Sequence, residues 1–103
     1  MNKIGKPYTL GIWTVKQGNE KSFIAEWTAF STWTNNNISR AGTAYLLQDR
    51  DNPRQFISYG AWESVDAIAA WRERPEFKAF VAKVRDLCEK FEPHSLVQVA
   101  TSE

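Results

Sequence analysis

The chain has few of the residues from which metal sites, disulfides and nucleophilic catalytic centres are built. Its 103 residues include one cysteine and one histidine. A single cysteine cannot form an internal disulfide, and these two residues supply too few ligands for a metal site within one chain. No G-x-S-x-G motif accompanies His94, and the five glycines are too scattered to form a phosphate-binding loop. These absences argue against metal-dependent, nucleophilic and phosphate-binding enzymes.

An excess of charge of one sign is also missing. The chain has 13 basic and 12 acidic residues, which leaves a net charge of +1. This balance gives no electrostatic footprint for nucleic acid or for an acidic membrane surface. The first seven residues lack the apolar run of a signal peptide, and no run is long enough to span a bilayer. With one cysteine, expected as a buried thiol at Cys88, the predicted location is the reducing cytoplasm.

Hydrophobic residues are plentiful, and aromatic ones especially so. They make up 43% and 14% of the chain, and five residues are tryptophan. A chain of this length and apolar content can bury one core, so residues 1–103 are expected to form a single domain. Five tryptophans in so small a domain leave aromatic side chains available to line a pocket.

The pattern of apolar residues predicts four strands and three helices. The strands are expected at about residues 8–15, 42–48, 55–62 and 94–100. The first helix should follow Asn19 as its cap and end near Thr34, before three consecutive asparagines. A helix predicted for residues 75–91 gathers its apolar side chains into one stripe, formed by Phe77, Phe80, Val81, Val84, Leu87, Cys88 and Phe91.

The segment from residue 56 to residue 80 carries the clearest local signals. An aromatic and β-branched run is followed by Ser64 at the position of a helix cap, and Asp66 lies in the first turn, where a carboxylate opposes the helix dipole. Pro75 interrupts the helical pattern after Arg74, because proline fits a first helical turn better than an interior. The chain should therefore run from a strand to a short helix and then to a longer one.

The order β-α-β-β-α-α-β predicts an α+β fold of the ferredoxin-like, split βαβ kind, with its second helix broken in two. The helices should cover one face of a four-stranded antiparallel sheet. Strands one and three are apolar on both faces, as the side chains of Leu10, Trp13, Phe56 and Tyr59 illustrate. A second apolar face without helices to cover it needs a partner, and the simplest partner is another copy of the chain. A homodimer is therefore expected.

Several short segments resemble the antibiotic biosynthesis monooxygenase (ABM) family, which belongs to the dimeric α+β barrel group. These segments are Tyr59-Gly60-Ala61-Trp62, Glu63-Ser64, Ala70-Trp71-Arg72, Pro75-Glu76-Phe77, Gly42-Thr43 leading to Leu46-Leu47-Gln48-Asp49, and the turn Asp51-Asn52-Pro53. The resemblance covers roughly residues 8–99. Its motifs consist of aromatic, small and turn residues, so they specify the fold better than the chemistry.

The resemblance implies a monooxygenase that needs neither metal nor flavin. In such proteins a phenolic or polyketide-like substrate is itself the reductant for molecular oxygen, while the protein supplies a dry pocket, orientation and donors that stabilise the substrate anion. The expected partners are a small aromatic molecule and oxygen, and no cofactor is expected. The alternative is a non-catalytic small-ligand-binding or stress-related dimer on the same scaffold, since a fold alone does not establish catalysis.

Other relatives degrade haem with an asparagine on strand one, a tryptophan on the short helix and a histidine on the following helix. In this chain Trp71 fills the tryptophan position, whereas Gly11 and Val81 stand at the other two. Neither of these residues can ligate iron or donate a side-chain hydrogen bond. The sequence therefore disfavours haem degradation.

The candidate site lies between the helices and the sheet, where the tryptophans converge. The resemblance places Trp71 at a functional position, and His94 is the one side chain whose ordinary pKa is near neutrality, which makes it the candidate proton acceptor. The expected substrate-binding residues are Trp13, Trp33, Tyr45, Tyr59 and Arg72. Arg72 would contact an anionic oxygen. Core packing is the alternative for the aromatic residues, and an ion pair on the surface is the alternative for Arg72.

Overall fold

The computed structural model describes residues 4–102, which form four strands and three helices. In chain order the elements are β1 (Pro7–Val15), α1 (Glu20–Asn37), β2 (Ala41–Gln48), β3 (Gln55–Trp62), α2 (Val65–Arg72), α3 (Pro75–Leu87) and β4 (Cys88–Val97). This order confirms the predicted ferredoxin-like α+β fold. Within the described residues no helix is both long enough and apolar enough to cross a membrane.

The four strands form one antiparallel sheet in the order β2-β3-β1-β4. The central strand β1 pairs Thr9 with Gly60 and Gly11 with Ser58 on β3, and it pairs Trp13 with Phe91 on β4. Because alternate residues of a strand point to opposite faces, these positions share the face that the helices cover. The residues between them form the other face, which we call the open face.

The core lies between the helix-covered face and the three helices. Its main cluster consists of Trp13, Val15, Phe23, Phe56, Phe80, Val84 and Cys88. A smaller cluster joins Trp62 on β3 to Ala67 and Ile68 on α2, with Trp71 packed against it. Strand β1 alternates as predicted, since Gly11, Trp13 and Val15 are buried, while Ile12 and Thr14 are half-buried on the open face.

The signals around α2 and α3 are confirmed. The hydroxyl oxygen of Ser64 accepts a hydrogen bond of 3.1 Å from the backbone N–H of Ala67, which is the geometry of an N-cap. Asp66 lies in the first turn, and Pro75 opens α3. Gly60 allows close pairing of β2 and β3, because a Cβ atom there would lie 3.2 Å from the Cβ atom of Ala44.

The predicted end of the last helix is wrong. Helix α3 ends at Leu87, and Cys88 and Phe91 belong to β4, which begins six residues earlier than expected. The strand pairs with β1 along its length, from Val15 opposite Cys88 to Pro7 opposite Val97. A bulge next to Val15 inserts one residue, so Cys88 and Phe91 face the core on the same side although a regular strand would place them on opposite faces. Residues three positions apart also lie on one side of a helix, so the sequence pattern of Cys88 and Phe91 predicted a longer helix.

Helix α1 also differs from the prediction. It continues to Asn37 and so includes the three asparagines that were expected to stop it. The side-chain amide of Asn37 donates to the carbonyl of Trp33 at 2.8 Å, and the N–H of Ile38 donates to the carbonyl of Thr34 at 2.8 Å. These bonds satisfy carbonyl groups of the last helical turn, and this offsets the poor helix propensity of asparagine. At the other end Asn19 makes no side-chain capping bond.

We predict that Ser64→Ala lowers the free energy of unfolding by about 1 kcal/mol, because the N–H of Ala67 loses its acceptor. Chemical denaturation monitored by circular dichroism measures this change. Ser22→Ala is the matched control, because Ser22 is exposed inside α1. A stability loss for Ser64→Ala no larger than that of the control would contradict the role of the cap.

The thiol of Cys88 supplies a second test of the core. Burial raises its pKa from the ordinary 9.0 to about 11, partly opposed by the positive charge of Lys16. A thiol whose pKa is raised by folding stabilises the native state fully below pH 9, and this contribution is lost as the pH rises through 11. We therefore expect the unfolding free energy of the wild type to fall more steeply between pH 9 and pH 11 than that of Cys88→Ala. Denaturant titrations at both pH values measure the difference, and equal slopes would contradict the burial effect.

Candidate functional site

A cavity of about 700 Å³ lies between the helix-covered face of the sheet and the helices. Its floor consists of the central strands, and its roof consists of α1, α2 and α3. The floor residues include Thr9, Gly11, Ser58 and Gly60. Because these residues are small, the space above the central strands stays open, while aromatic rings form the walls.

Aromatic side chains form the walls. Phe30 on α1 stacks on Phe80 with ring centroids 4.2 Å apart, and on Trp71 with centroids 5.7 Å apart. The Trp71 ring also contacts Trp62 at 4.9 Å and Phe77 at 4.7 Å. Trp71 is half-buried, so it is both a packed residue and a wall of the cavity. Its placement is therefore compatible both with core packing and with contact to a bound ligand.

At the other end of the cavity Trp13 stacks on Phe91, with ring centroids 4.0 Å apart and planes inclined by 13°. This pair spans β1 and β4, where the two residues lie directly opposite each other. Trp13 is 4% exposed. Because its ring also meets Phe23 and Phe80, this wall is fixed by the main core.

Each of three indole N–H groups donates to a hydroxyl oxygen beside the cavity. Trp13 Nε1 donates to Ser58 Oγ at 3.0 Å, and Trp62 Nε1 donates to Thr9 Oγ1 at 3.0 Å. Trp71 Nε1 donates to Thr34 Oγ1 at 3.1 Å. These bonds satisfy three buried or half-buried indole donors, and they fix the hydroxyl groups in place.

Charged groups stand at the margin of the cavity. Arg72 closes the last turn of α2, where a cation interacts favourably with the helix dipole, and its side chain is half-buried. None of the ion pairs found among residues 4–102 involves Arg72. Arg85 on α3 and Glu89 on β4 also border the space, and Glu89 forms an ion pair with Arg54. Arg72 is half-buried and Arg85 is exposed, so of the two Arg72 is the better placed to meet an anion inside the cavity.

Five of the predicted site residues border the cavity, namely Trp13, Tyr59, Trp71, Arg72 and His94, but Tyr59 and His94 do so from strand positions whose side chains point to the open face. Trp33 does not line the cavity. The Trp33 ring stacks on Phe30 with ring centroids 5.7 Å apart, and the guanidinium carbon of Arg74 lies 5.1 Å from the Trp33 ring centroid. The indole of Trp33 therefore packs against Phe30 of its own helix and against Arg74, which precedes α3, and not against the cavity.

The structure places the side chains of Tyr45, Tyr59 and His94 on the open face. Tyr45 and Tyr59 pair across β2 and β3 with ring centroids 5.3 Å apart, and they are 50% and 36% exposed. His94 lies opposite Leu10, and its Nε2 atom is 3.9 Å from a carboxylate oxygen of Glu92. Strands of the cavity floor carry these residues, but strand parity directs the side chains away from Trp71.

Sequence reasoning missed the three hydroxyl residues and the importance of the floor glycines. A signal was available: Thr9, Gly11 and Trp13 share one parity on β1, and Ser58, Gly60 and Trp62 share one parity on β3. On each strand, the alternate positions on the buried face hold two small residues and one tryptophan. Such a pattern predicts open space beside a large ring. Gly11 and Val81, where the sequence resemblance would place the haem contacts of other relatives, also line the cavity, and neither side chain can ligate iron. Among the described residues no three or more His, Cys, Asp or Glu side chains are grouped to hold a metal ion.

Comparison with known proteins identifies the family. The model of the family described as antibiotic biosynthesis monooxygenase matches residues 11–83, which is more than half of the chain. No curated protein sequence matches the chain.

Solved structures of low sequence identity share the fold. SnoaB, a cofactor-independent oxygenase from Streptomyces nogalater, is 17% identical, with 95% of this chain and 97% of that chain covered and a TM-score of 0.86. Protein SO0527 from Shewanella oneidensis is 18% identical, with 96% of both chains covered and a TM-score of 0.83. PA3566 from Pseudomonas aeruginosa is 16% identical, with 97% of this chain and 100% of that chain covered and a TM-score of 0.80. The match to the family model and the shared fold agree, and the chain belongs to the antibiotic biosynthesis monooxygenase family.

Proposed function

We propose that this protein is a cofactor-independent monooxygenase that oxidises a small aromatic, phenolic or polyketide-like molecule with molecular oxygen. The observation that carries the proposal is the cavity of about 700 Å³ with aromatic walls and a few fixed polar groups. This volume lies in the range of small-molecule sites, which are about 300–1,000 Å³, mostly apolar and equipped with few polar groups. The description of SnoaB as a cofactor-independent oxygenase supports the same chemistry on this fold.

In the proposed reaction the substrate supplies the electrons. Loss of a proton gives a phenolate-type anion, which passes one electron to oxygen, and the resulting radical and superoxide combine to a peroxide. Loss of water then leaves a carbonyl group, so that a ring CH₂ and O₂ become C=O and H₂O. The protein would hold the aromatic plane between Trp71 and Trp13, with Arg72 beside the developing anion.

One observation favours the alternative of a non-catalytic ligand-binding dimer. The one carboxylate among the described residues that border the cavity, Glu89, is exposed and paired with Arg54. The side chain of His94 lies on the open face. Among residues 4–102, no carboxylate or imidazole that could accept a proton therefore stands beside Trp71. A catalysed reaction would need a substrate acidic enough to ionise in solution. Ligand binding alone places no such demand on the cavity.

Oxygen uptake separates the two functions. We expect the purified protein, with metals chelated, to accelerate oxygen consumption by at least one member of a panel of hydroquinones and anthrones. An anthrone should consume one oxygen molecule for each ring CH₂ that becomes a carbonyl. Trp71→Ala should lower kcat/KM by about ten- to a hundredfold, because the aromatic ring of the substrate loses one wall. Trp33→Ala is the matched control, since Trp33 lies on α1 outside the cavity, and its activity should stay near that of the wild type.

The stability of the same variant decides between the two roles of Trp71. If the residue acts only in packing, Trp71→Ala should cost about 3–5 kcal/mol of stability and leave ligand affinity unchanged in the folded fraction. Thermal melting beside a ligand titration measures both quantities. Tight binding of a panel member without any oxygen uptake would favour the non-catalytic alternative.

We also propose a homodimer formed across the open face, as expected from the sequence. Large apolar side chains stay exposed there, including Tyr45 at 50%, Leu47 at 53% and Leu96 at 45%. Leu47 lies opposite Ile57 on the neighbouring strand, next to the Tyr45–Tyr59 pair, so the apolar side chains are contiguous. None of the elements formed by residues 4–102 covers this face. A contiguous apolar face of this kind supports association with a partner.

Sedimentation at micromolar concentration should show a species of twice the 11.8 kDa chain mass. Leu47→Glu should shift the equilibrium towards the monomer, because a carboxylate would be buried without a partner. Ile24→Glu is the control, since Ile24 is exposed on α1, which covers the other face of the sheet. A wild-type protein that sediments as a monomer would contradict the proposal.

A further inference from the structure

Strands β1 and β3 carry a repeated arrangement on the cavity floor. Trp13 donates its indole N–H to Ser58, the residue opposite Gly11, and Gly11 precedes Trp13 by two positions. Trp62 donates to Thr9, the residue opposite Gly60, and Gly60 precedes Trp62 by two positions. Each indole thus reaches diagonally across the strand pair, and the floor has hydroxyl groups on one diagonal and glycines on the other.

The glycine at position 11 is required for this arrangement. A Cβ atom there would lie 2.9 Å from Trp13 Nε1 and 3.0 Å from Ser58 Oγ, the two atoms that form the hydrogen bond. Any side chain would therefore push the indole away from the hydroxyl. The absence of a side chain lets the indole hold the hydroxyl in a fixed position at the floor.

The hydrogen-bonding capacity of each hydroxyl is only partly used. A serine or threonine hydroxyl has one O–H donor and two acceptor sites, and the indole occupies one acceptor site. In the part of the chain that the structure describes, the hydroxyls of Thr9, Ser58 and Thr34 make no hydrogen bond as donors. All three residues line the cavity, and Thr34 is 6% exposed. When a ligand excludes water from the cavity, a hydroxyl donor left without an acceptor is costly, so a ligand that offers an acceptor binds more tightly than one that does not.

We propose that the hydroxyl groups of Thr9, Ser58 and Thr34 are the specificity-determining contacts of the cavity, and that they select planar aromatic ligands with carbonyl or phenolate oxygens over hydrocarbons of the same shape. The inference rests on the proposed small-molecule function of the cavity. Donation from the indole polarises each hydroxyl and strengthens it as a donor, because hydrogen bonds in a chain reinforce one another. A carbonyl or phenolate oxygen accepts such a bond and needs no donor of its own.

The placement of the three hydroxyls also limits the shape of the ligand. Thr9 and Ser58 are diagonal neighbours on an antiparallel pair, a relation that separates such residues by about 7 Å. Thr34 lies above them on α1, beside Trp71. Acceptor oxygens at opposite edges of one ring would meet the two floor hydroxyls at once. A hydrocarbon of the same shape would leave the donors unsatisfied, which is the condition for strong discrimination between ligands.

Two probes of matched shape test the inference. The first is 2,3-dimethyl-1,4-naphthoquinone, which carries two carbonyl oxygens on one ring and has no open quinone position for the thiol of Cys88 to attack. The second is 1,2,3,4-tetramethylnaphthalene, in which methyl groups replace the carbonyls. We expect equilibrium dialysis to show that the wild-type protein binds the quinone at least about tenfold more tightly than the hydrocarbon. Equal affinity, or no binding of either probe, would overturn the inference.

The variants Ser58→Ala and Thr9→Val remove one hydroxyl each and nearly preserve shape. Each should weaken quinone binding by roughly tenfold and leave hydrocarbon binding unchanged. Thr9→Ser, which keeps the hydroxyl, should retain the preference for the quinone. Thr14→Val is the matched control, because Thr14 lies on the same strand with its side chain on the open face. If the hydroxyls serve only to anchor the indoles, both probes should weaken together, and that result would overturn the inference.

Thr34→Val supplies an independent variant on a helix, in case a floor variant does not fold. It should show the same selective loss of quinone affinity, and an unchanged preference would overturn the role of Thr34. The result is separable from the proposed oxygenase activity. Selective binding without oxygen uptake would refute the oxygenase and support the donor contacts. Oxygen uptake that stays unchanged in the three hydroxyl variants would support the oxygenase and refute the donor contacts.

Discussion

The pairing of β1 with β3 is the constraint on which the rest of the structure depends. This pair lies in the middle of the sheet, and β1 also pairs with β4 on its other side. Since the side chains of a strand alternate with a period of two, the register decides which residues face the helices and which face the open side. A shift of one residue would move Thr9, Gly11 and Trp13 out of the cavity and expose the core.

The cavity exists because small and large residues are segregated within that register. Glycines and hydroxyl residues occupy the floor on β1 and β3, while tryptophan and phenylalanine rings from the sheet ends and the helices form the walls. The rings satisfy their N–H groups on the floor hydroxyls and on Thr34, so a single set of contacts both packs the walls and orients polar atoms. The packing of the walls and the orientation of the hydroxyl groups are therefore coupled through the same three hydrogen bonds.

Local signals predicted most of the fold. The cap at Ser64, the break at Pro75 and the alternation of β1 and β3 depend on a few neighbouring residues, and the structure confirms them. The boundary between α3 and β4 was wrong because it depends on distant residues. Cys88 and Phe91 continue the spacing of the helix, but the hydrogen bonds offered by β1 and the bulge beside Val15 draw them into the sheet. At Asn37 the side chain satisfies the helix end that its propensity opposes.

Sequence alone determined the fold class and the family resemblance, because hydrophobic period, caps and turn residues act over a few positions. It also indicated Trp13, Trp71 and Arg72 as candidates for the site, and all three border the cavity. Tertiary structure decided the rest. Tyr45, Tyr59 and His94 have suitable chemistry, but strand parity in the assembled sheet turns their side chains to the open face. The donor hydroxyls of Thr9, Ser58 and Thr34 are ordinary residues in the sequence. They become distinct only when folding brings an indole from a distant position onto each of them, since a contact between residues 37 to 53 positions apart has no local signature.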